Sequence, residues 1–416
     1  MNINVTSEIG KLNGVIIHTP GPEVENMTPK NAERALYSDI LNLTVAQNEY
    51  AQFKGALNKI TKVMEVKNLL LEALKNSSAK VDLLYNICVN ENKEELKEYL
   101  SNLPDEELTT QLIEGVPLER NTLTKFMSKE YYAMRPLHNF FFTRDSAVSV
   151  RDRVLITRMK NRIRKRESLI METIFKFHPE MKPTIINPEH SKYFKDKISV
   201  EGGDVLVARD DVLIVGIGER TSTQGVDFIM DCLRDRPEKR HIIVQELPLT
   251  PESFIHLDMV FTFLDKDKCM VYPPVVMNRH SYQTVHIEID KGEVKAITEA
   301  RDIMGALKNV GIDVEPIICG GTSDEWIQER EQWHSGANFF AVAPGKVMGY
   351  ARNIYTLEEM NKHGFEIIHA NDIISGKYKV EDYKRCAITI DGSELSRGGG
   401  GCRCMSMPFN RDKVDW

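Results

Sequence analysis

Apolar and polar positions recur along the chain in one order. A short β-rich run is followed by a polar turn, a second β-rich run, an amphipathic helix and a closing β-rich run. The clearest instance begins at Asp204. Val205-Leu206-Val207-Ala208 predicts a strand, Arg209-Asp210-Asp211 a tight turn, and Val212-Leu213-Ile214-Val215 the returning strand. Val226, Phe228, Ile229 and Cys232 follow with helical spacing, and His241-Ile242-Ile243-Val244 closes the unit. The same order runs from Asp145, with a turn at Arg151-Asp152-Arg153, the strand Val154-Leu155-Ile156, a basic helix and Thr184-Ile185-Ile186. It runs again from Asp258, with a turn near Asp265-Lys266-Asp267 and a helix through Ile303, Met304 and Leu307. A further copy starts at Asn338, turns at Pro344-Gly345-Lys346 and ends at Glu366-Ile367-Ile368. The stretch from Leu12 to Val66 supplies strand, helix and strand but lacks the first hairpin strand, which the tail after Ala387-Ile388-Thr389-Ile390 could provide.

Self-similarity of this length points to a repeat architecture. The expectation is an α/β protein: a five-unit pseudo-symmetric β/α propeller of ββαβ units, the fifth split across the termini. An open α/β sheet also alternates strand and helix. Tight turns make antiparallel hairpins, however, which favours the propeller. Residues 68–131 break the pattern. Leu69, Leu70, Leu71 and Leu74, then Leu83, Leu84 and Ile87, then Leu96, Tyr99 and Leu100 read as helical throughout, and Pro104 before Asp105, Glu106 and Glu107 reads as a helix start. The expected organisation is a catalytic propeller over 1–67 and 132–416, with an α-helical insert domain over 68–131.

Composition narrows the function. The chain has 416 residues, with 54 Lys and Arg against 61 Asp and Glu, a formal net charge of −7 that disfavours a nucleic-acid or anionic-membrane surface. No apolar run approaches the ~20 residues that span a bilayer. The opening Met-Asn-Ile-Asn-Val-Thr-Ser-Glu has neither the basic region nor the apolar stretch of a secretory signal. The cysteines number seven, an odd count unlike a disulfide framework. A cytoplasmic enzyme with reduced thiols is expected, with a small-molecule substrate and no nucleic-acid or membrane partner.

Polar residues gather at equivalent places, at or just before the first strand of each unit: Asn139 and Asp145, Glu201 and Asp204, His256 and Asp258, and in the tail Cys404. In a ring of repeats these positions face one axis. Such a pocket holds a thiol, an imidazole and several carboxylates, and buried carboxylates are costly unless paired with a cation. Cys402-x-Cys404 lacks the second cysteine pair of a structural zinc site, so no metal is expected. A cationic substrate fits better, since a planar guanidinium presents a fixed fork of donors to carboxylates. The tail Arg397-Gly398-Gly399-Gly400-Gly401-Cys402-Arg403-Cys404-Met405 carries four consecutive glycines, which let backbone approach a ligand, and then a cysteine placed as a nucleophile beside a cation that could lower its pKa. A glycine-rich tail with incidental cysteines is the plainer reading. His256 alone would more often be a structural histidine, and the basic run Arg158 to Arg166 a solvated helix face. Cys88, Cys232, Cys269, Cys319 and Cys386 sit among apolar residues and read as core, and Trp333 as packing.

Taken together, Asn139-Phe140-Phe141-Phe142-Thr143-Arg144-Asp145, Glu201-Gly202-Gly203-Asp204, His256-Leu257-Asp258 and the glycine loop before Cys404-Met405-Ser406-Met407-Pro408 resemble the arginine deiminases of the guanidine-modifying (pentein) superfamily. Ser7-Glu8-Ile9-Gly10-Lys11-Leu12 and Glu329-Arg330-Glu331-Gln332-Trp333 extend the likeness over nearly the whole chain. The resemblance implies hydrolysis of L-arginine to L-citrulline and ammonia, the first step of arginine degradation, without metal or organic cofactor. It implies Cys404 as nucleophile, His256 as acid and then base, Asp145 and Asp258 as the guanidinium clamp, and Glu201 as a guanidinium contact that orients His256. Asn139, Phe142, Arg164 and Arg220 match substrate-binding positions. The family often carries an arginine where Gly399 stands; Arg403, directly before the nucleophile, is the candidate replacement. The family also implies a homo-oligomer, dimer or higher. A deiminase of another guanidino compound, an amidinotransferase of the same superfamily and a non-catalytic binding protein are the alternatives. Loss of Cys404, His256 or a clamp carboxylate would mark the last, and none is lost.

Overall fold

A computed structural model of the chain describes residues 1–29, 32–37, 39–191, 197–278 and 281–416. It is a mixed α/β structure in which five sheets share one plan: an antiparallel pair, and a third strand that returns parallel to the second after a helix. Ala147–Val150 and Arg153–Ile156 form the hairpin of one sheet, with Thr184–Ile186 parallel to the latter. Phe261–Phe263, Lys268–Val271 and Glu315–Ile318 repeat the arrangement. Val205–Arg209, Val212–Ile217 and Arg240–Glu246 repeat it again, and the antiparallel strands Thr284–Asp290 and Glu293–Ala300 extend that sheet to five strands. The strands read as nearly unbroken apolar runs because both faces are covered, as in Ala147–Val150, where every residue is buried.

The split unit forms as its pattern requires. Leu12–Ile17 pairs parallel with Lys62–Glu65 and antiparallel with Met407–Arg411, so the C-terminal tail supplies the missing hairpin strand. The unit from Asn338 departs from expectation. Glu366–His369 does not lie beside Lys346–Tyr350; Cys386–Ile390 stands between them, parallel to both. All five residues of Cys386–Ile390 are buried, whereas Glu366 and Ile367 are exposed, so the wholly buried strand takes the central place.

Local chemistry sets the connecting helices. Asn42 caps Leu43–Ile60 by accepting from Val45 N, Ser222 caps Thr223–Leu233 through Gly225 N, and Asp302 caps Ile303–Asn309 through Gly305 N. Between Val66 and Glu114 the chain is almost entirely helical, including Asp105–Glu114 behind Pro104. A short ladder of Val116–Pro117 with Tyr132–Met134 follows, a β element the helical reading did not foresee. Leu69, Leu83, Ile87, Leu108 and Leu112 from these helices share one core with Val154, Ile170, Ile174 and Phe175. No described helix is long and apolar enough to cross a membrane.

Candidate active site

One local device recurs at three of the units. A single helical turn lies directly ahead of the first strand and places its polar residues at the same end of the sheet. Thr143–Ser146 carries Asp145, Gly202–Asp204 follows Glu201, and Leu257–Met259 carries Asp258 behind His256. Cys404 stands before Met407–Arg411. These turns touch one another because two glycines remove side chains where they meet. A Cβ on Gly203 would lie 2.4 Å from His256 Nδ1, and one on Gly202 would lie 2.0 Å from the Arg144 carbonyl oxygen.

Three carboxylates surround His256, which is fully buried. Its Nε2 lies 2.9 Å from Glu201 Oε2 and its Nδ1 3.6 Å from Asp145 Oδ1. Burial pulls the imidazole pKa down, but Asp145, Glu201 and Asp204 outweigh it and raise it to about 9. His256 is therefore an imidazolium at neutral pH. Burial pushes Glu201 up, yet the hydrogen bond from His256 and the charge of Arg220 bring it down to about 2. Glu201 Oε1 also accepts from Lys160 N at 3.0 Å. Asp204 takes Leu257 N at 2.9 Å, and burial raises it to about 7, so it braces the turn that carries His256 and Asp258.

Cys404 lies on the other side of the cavity. Its Sγ is 3.6 Å from Asp258 Oδ2 and 3.2 Å from Asn338 Nδ2. Asn338 Oδ1 accepts from the amides of Arg403 and Cys404 at 2.9 and 3.2 Å, which fixes the nucleophile's backbone. Burial, then Asp258 and Asp145, push the thiol well above its usual range. The adjacent cation Arg403 does pull it down, as expected, but burial and the two carboxylates outweigh it.

Arg403 departs from its expected part in substrate binding. Like Glu201 and Asp258 it lines neither the cavity nor its mouth, but whereas those two abut His256 and the Cys404 thiol, its side chain touches, among the described residues, no group that does the chemistry except Asp258. Its side chain is 1% exposed and donates to Glu8 (Nε to Oε2, 3.0 Å; Nη2 to Oε1, 3.2 Å), Asp258 (Nη1 to Oδ2, 2.7 Å) and the Val205 carbonyl (3.0 Å). It fastens the N-terminal segment and Asp258 under the nucleophile.

The inner cavity, about 30 Å³, is lined by Asn139, Phe142, Asp145, Arg164, Arg220, His256, Cys404 and the backbone of Gly398 to Gly400, with Leu36 and Ile255 at its edge. It opens into a cavity of about 400 Å³. Arg164 is held at 2.8 Å by Asp145 Oδ2 and bidentately by Glu167 at 3.0 and 2.8 Å. Arg220 is less occupied: its Nη1 sits 3.5 Å from Glu201, and Nε and Nη1 have no hydrogen-bond partner. Asp145 Oδ1 and His256 Nδ1 are likewise buried without one. Phe142 stacks on Phe141 at 4.0 Å, and Asn139 Nδ2 donates to the Ala35 carbonyl at 2.8 Å. Sequence reasoning missed Asn338, Glu167 and Glu8 as parts of this arrangement. Asn338 heads its repeat as Asp145 and Asp258 head theirs, a positional signal that was there to use. No group of three or more His, Cys, Asp or Glu able to hold a metal occurs among the described residues.

A thiol, an imidazolium and clustered carboxylates around a small cavity suit nucleophilic attack on a planar cation, with proton delivery to its leaving group. Comparison with known proteins points the same way. The sequence model of the arginine deiminase family matches residues 33–411. An arginine deiminase of Bacillus thuringiensis subsp. konkukian is 34% identical, and one of Listeria innocua 33% identical, each alignment covering 99% of both chains. Among solved structures, the amidinotransferase SxtG of Microseira wollei aligns with TM-score 0.56 at 11% identity over 99% of this chain and 98% of its own. The N-terminal domain of ArgZ, a cyanobacterial arginine dihydrolase bound to product, aligns with TM-score 0.53 at 12% identity over 96% and 98%. At such identities these last two are likenesses of fold.

Proposed function

The chain belongs to the arginine deiminase family, and we propose that it hydrolyses L-arginine to L-citrulline and ammonia through a thiouronium intermediate on Cys404. The observation that carries the site assignment is the pairing across one small cavity of a thiol on Asp258 with an imidazolium between Glu201 and Asp145.

Before substrate binds, the thiol is protonated, because burial and then two carboxylates oppose a thiolate. A guanidinium between Asp145 and Asp258 supplies the missing positive charge. Its binding lets the thiol release a proton to solvent, and the thiolate attacks the guanidinium carbon. The His256 imidazolium gives its proton to the departing nitrogen, which leaves as ammonia. The neutral imidazole next takes a proton from water as the hydroxide adds to the thiouronium carbon. The ureido carbonyl then forms as sulfur departs with the remaining proton as the thiol, and both groups return to their starting states. Glu201 holds His256 in line and bonds a guanidinium nitrogen. Asn139 and Phe142 line the substrate, and Arg220, with unpartnered donors, meets its α-carboxylate. Arg164 is assigned to hold Asp145 and Glu167 rather than to travel to the substrate.

We further propose that the five sheets ring one axis as a propeller with a helical insert, a reading supported by the convergence of equivalent turns on one cavity. Assembly into a dimer or higher oligomer is supported by the exposed run of Leu123, Phe126, Met127 and Tyr131. A cytoplasmic setting agrees with seven free cysteines.

The function is tested by counting products from L-arginine for wild type and Cys404→Ala. Equal citrulline and ammonia, abolished by the substitution, are expected. No product from folded wild type would overturn the assignment.

A further inference from the structure

Beside the nucleophile lies one more buried polar group, the side-chain amide of Asn338. The residue is 1% exposed and stands just ahead of Phe340–Ala343, as Asp145 and Asp258 stand ahead of their strands. Its backbone is held from both sides. Asn338 N donates to the Ser335 carbonyl at 3.0 Å, and the Thr262 hydroxyl donates to the Ala337 carbonyl at 2.7 Å. Gly401 makes room for the side chain, since a Cβ there would lie 2.7 Å from Asn338 Oδ1.

The hydrogen bonds around the amide fix which end faces the sulfur. Oδ1 accepts from the amides of Arg403 and Cys404 at 2.9 and 3.2 Å. Nδ2 has two N–H bonds, and their nearest acceptors are the Asp258 carbonyl oxygen at 3.1 Å and Cys404 Sγ at 3.2 Å. Turning the amide over would set an NH2 against two N–H groups and an oxygen against a carbonyl. The donor is therefore held on the sulfur by partners other than the sulfur. The Asp258 carboxylate, 3.6 Å from Sγ, can only accept, so it suits the thiol and opposes the thiolate. Asn338 Nδ2 donates to either form and more strongly to the charged one. It also stands outside the lining of the inner cavity, so it acts on the nucleophile rather than on substrate.

We propose that Asn338 is a catalytic residue whose Nδ2–H stabilises negative charge on the Cys404 sulfur, a fixed donor like those of an oxyanion hole but turned on the nucleophile. The proposal rests on Cys404 being the nucleophile of the deiminase reading. As the thiol gives its proton to solvent the hydrogen bond strengthens, and the sulfur's electron pair then forms the bond to the guanidinium carbon. When the C–S bond breaks, the pair returns to sulfur with the remaining proton, and the same donor meets it.

Two variants separate this role from anchoring of the backbone. Asn338→Asp keeps an oxygen for the Arg403 and Cys404 amides and loses the N–H. Asn338→Ala loses both and adds no charge, so the missing N–H is what the two share. Full-length variants with the circular dichroism of wild type are compared by kcat and KM for L-arginine. They are also compared by the rate at which iodoacetamide alkylates Cys404 in the free enzyme near neutral pH, read by peptide mass spectrometry. Loss of a hydrogen bond to a charged group corresponds to about 10- to 100-fold, so kcat and the alkylation rate should both fall by that much in both variants, with KM within about threefold of wild type. Asn338→Asp protein that alkylates and turns over within about threefold of wild type would reduce Asn338 to an anchor and overturn the proposal, as would unchanged alkylation in Asn338→Ala. No citrulline from folded wild type, with alkylation still slowed in both variants, would instead count against the deiminase reading and leave the donor in place.

Discussion

Replacing Arg403 by Met separates a structural cation from a substrate contact. The guanidinium is 1% exposed and sits between Glu8 and Asp258, with bonds of 3.0, 3.2 and 2.7 Å to their oxygens. A methionine of similar length fills the space and strands both carboxylates. Breaking a buried pair by removing one partner costs about 3–5 kcal/mol. An unfolding entropy of about 2.1 cal/mol/K per residue over 416 residues is about 0.9 kcal/mol/K, so Tm should fall by about 3–6 °C. Turnover should fall with it, because Asp258 beside the thiol loses its brace, whereas KM for L-arginine should stay within about threefold. The loss also has a pH signature. Burial raises Glu8, but Arg403 above all, with Arg144 and Arg411, overrides burial and holds it at about 2, below the ordinary 4.5. A depressed carboxylate stabilises above its unfolded pKa and loses that contribution as pH falls through the folded one, so the Tm gap should narrow as pH drops from about 5 toward 2. Thermal melts and steady-state kinetics on the two proteins decide it. An unchanged Tm with KM raised tenfold or more would refute the assignment and return Arg403 to the substrate.

Three further outcomes follow from the site. With His256 raised to about 9, its charged form persists below that pH and is lost above it, so kcat/KM for L-arginine should fall through a basic limb near 9. Glu201→Gln, which removes a carboxylate that supports the charge, should move that limb to lower pH and cut kcat by about 10²-fold or more; an unmoved limb in a pH–rate profile would contradict this. Asp204 is raised by burial to about 7 from 3.8, so the wild type should lose stability between about pH 4 and 7 relative to Asp204→Asn, whose amide oxygen still accepts Leu257 N; paired melts across that range would show the two curves diverging. Glu49→Gln sets an amide against the Ser393–Leu395 amides and should cost about 1–3 kcal/mol, seen as a lower Tm with a raised KM as the glycine loop loosens.

Much of the scaffold was legible because its signals are local. Hairpin turns, apolar runs and helix caps each occupy a few consecutive residues, and even the split unit was foreshadowed by a strand, Leu12–Ile17, that lacked its antiparallel neighbour. The placement of Cys386–Ile390 between two strands of its unit was not legible, because strand order depends on which run covers both faces. Within the site, residues at unit starts were found by position: Asp145, Glu201, His256, Asp258. The pairs Arg403–Glu8 and Arg164–Glu167 were not, for different reasons. Glu8 lies 395 positions from Arg403 and leaves no periodic trace. Glu167 sits three residues from Arg164 inside a basic run that, by charge alone, reads as a solvated face. Burial is what converts such residues from surface charge to framework, and one sequence does not display burial of single charges.

The central claim is that Cys404 carries the substrate's carbon with its side chain still attached. Acid quench during turnover of L-arginine, followed by peptide mass spectrometry, tests it directly. The account predicts an adduct on Cys404 equal to L-arginine less ammonia, at a level that disappears when substrate is exhausted. An adduct of the amidino group alone would make the chain a transferase, and steady citrulline formation with modification on Cys402 or on no cysteine would contradict the mechanism.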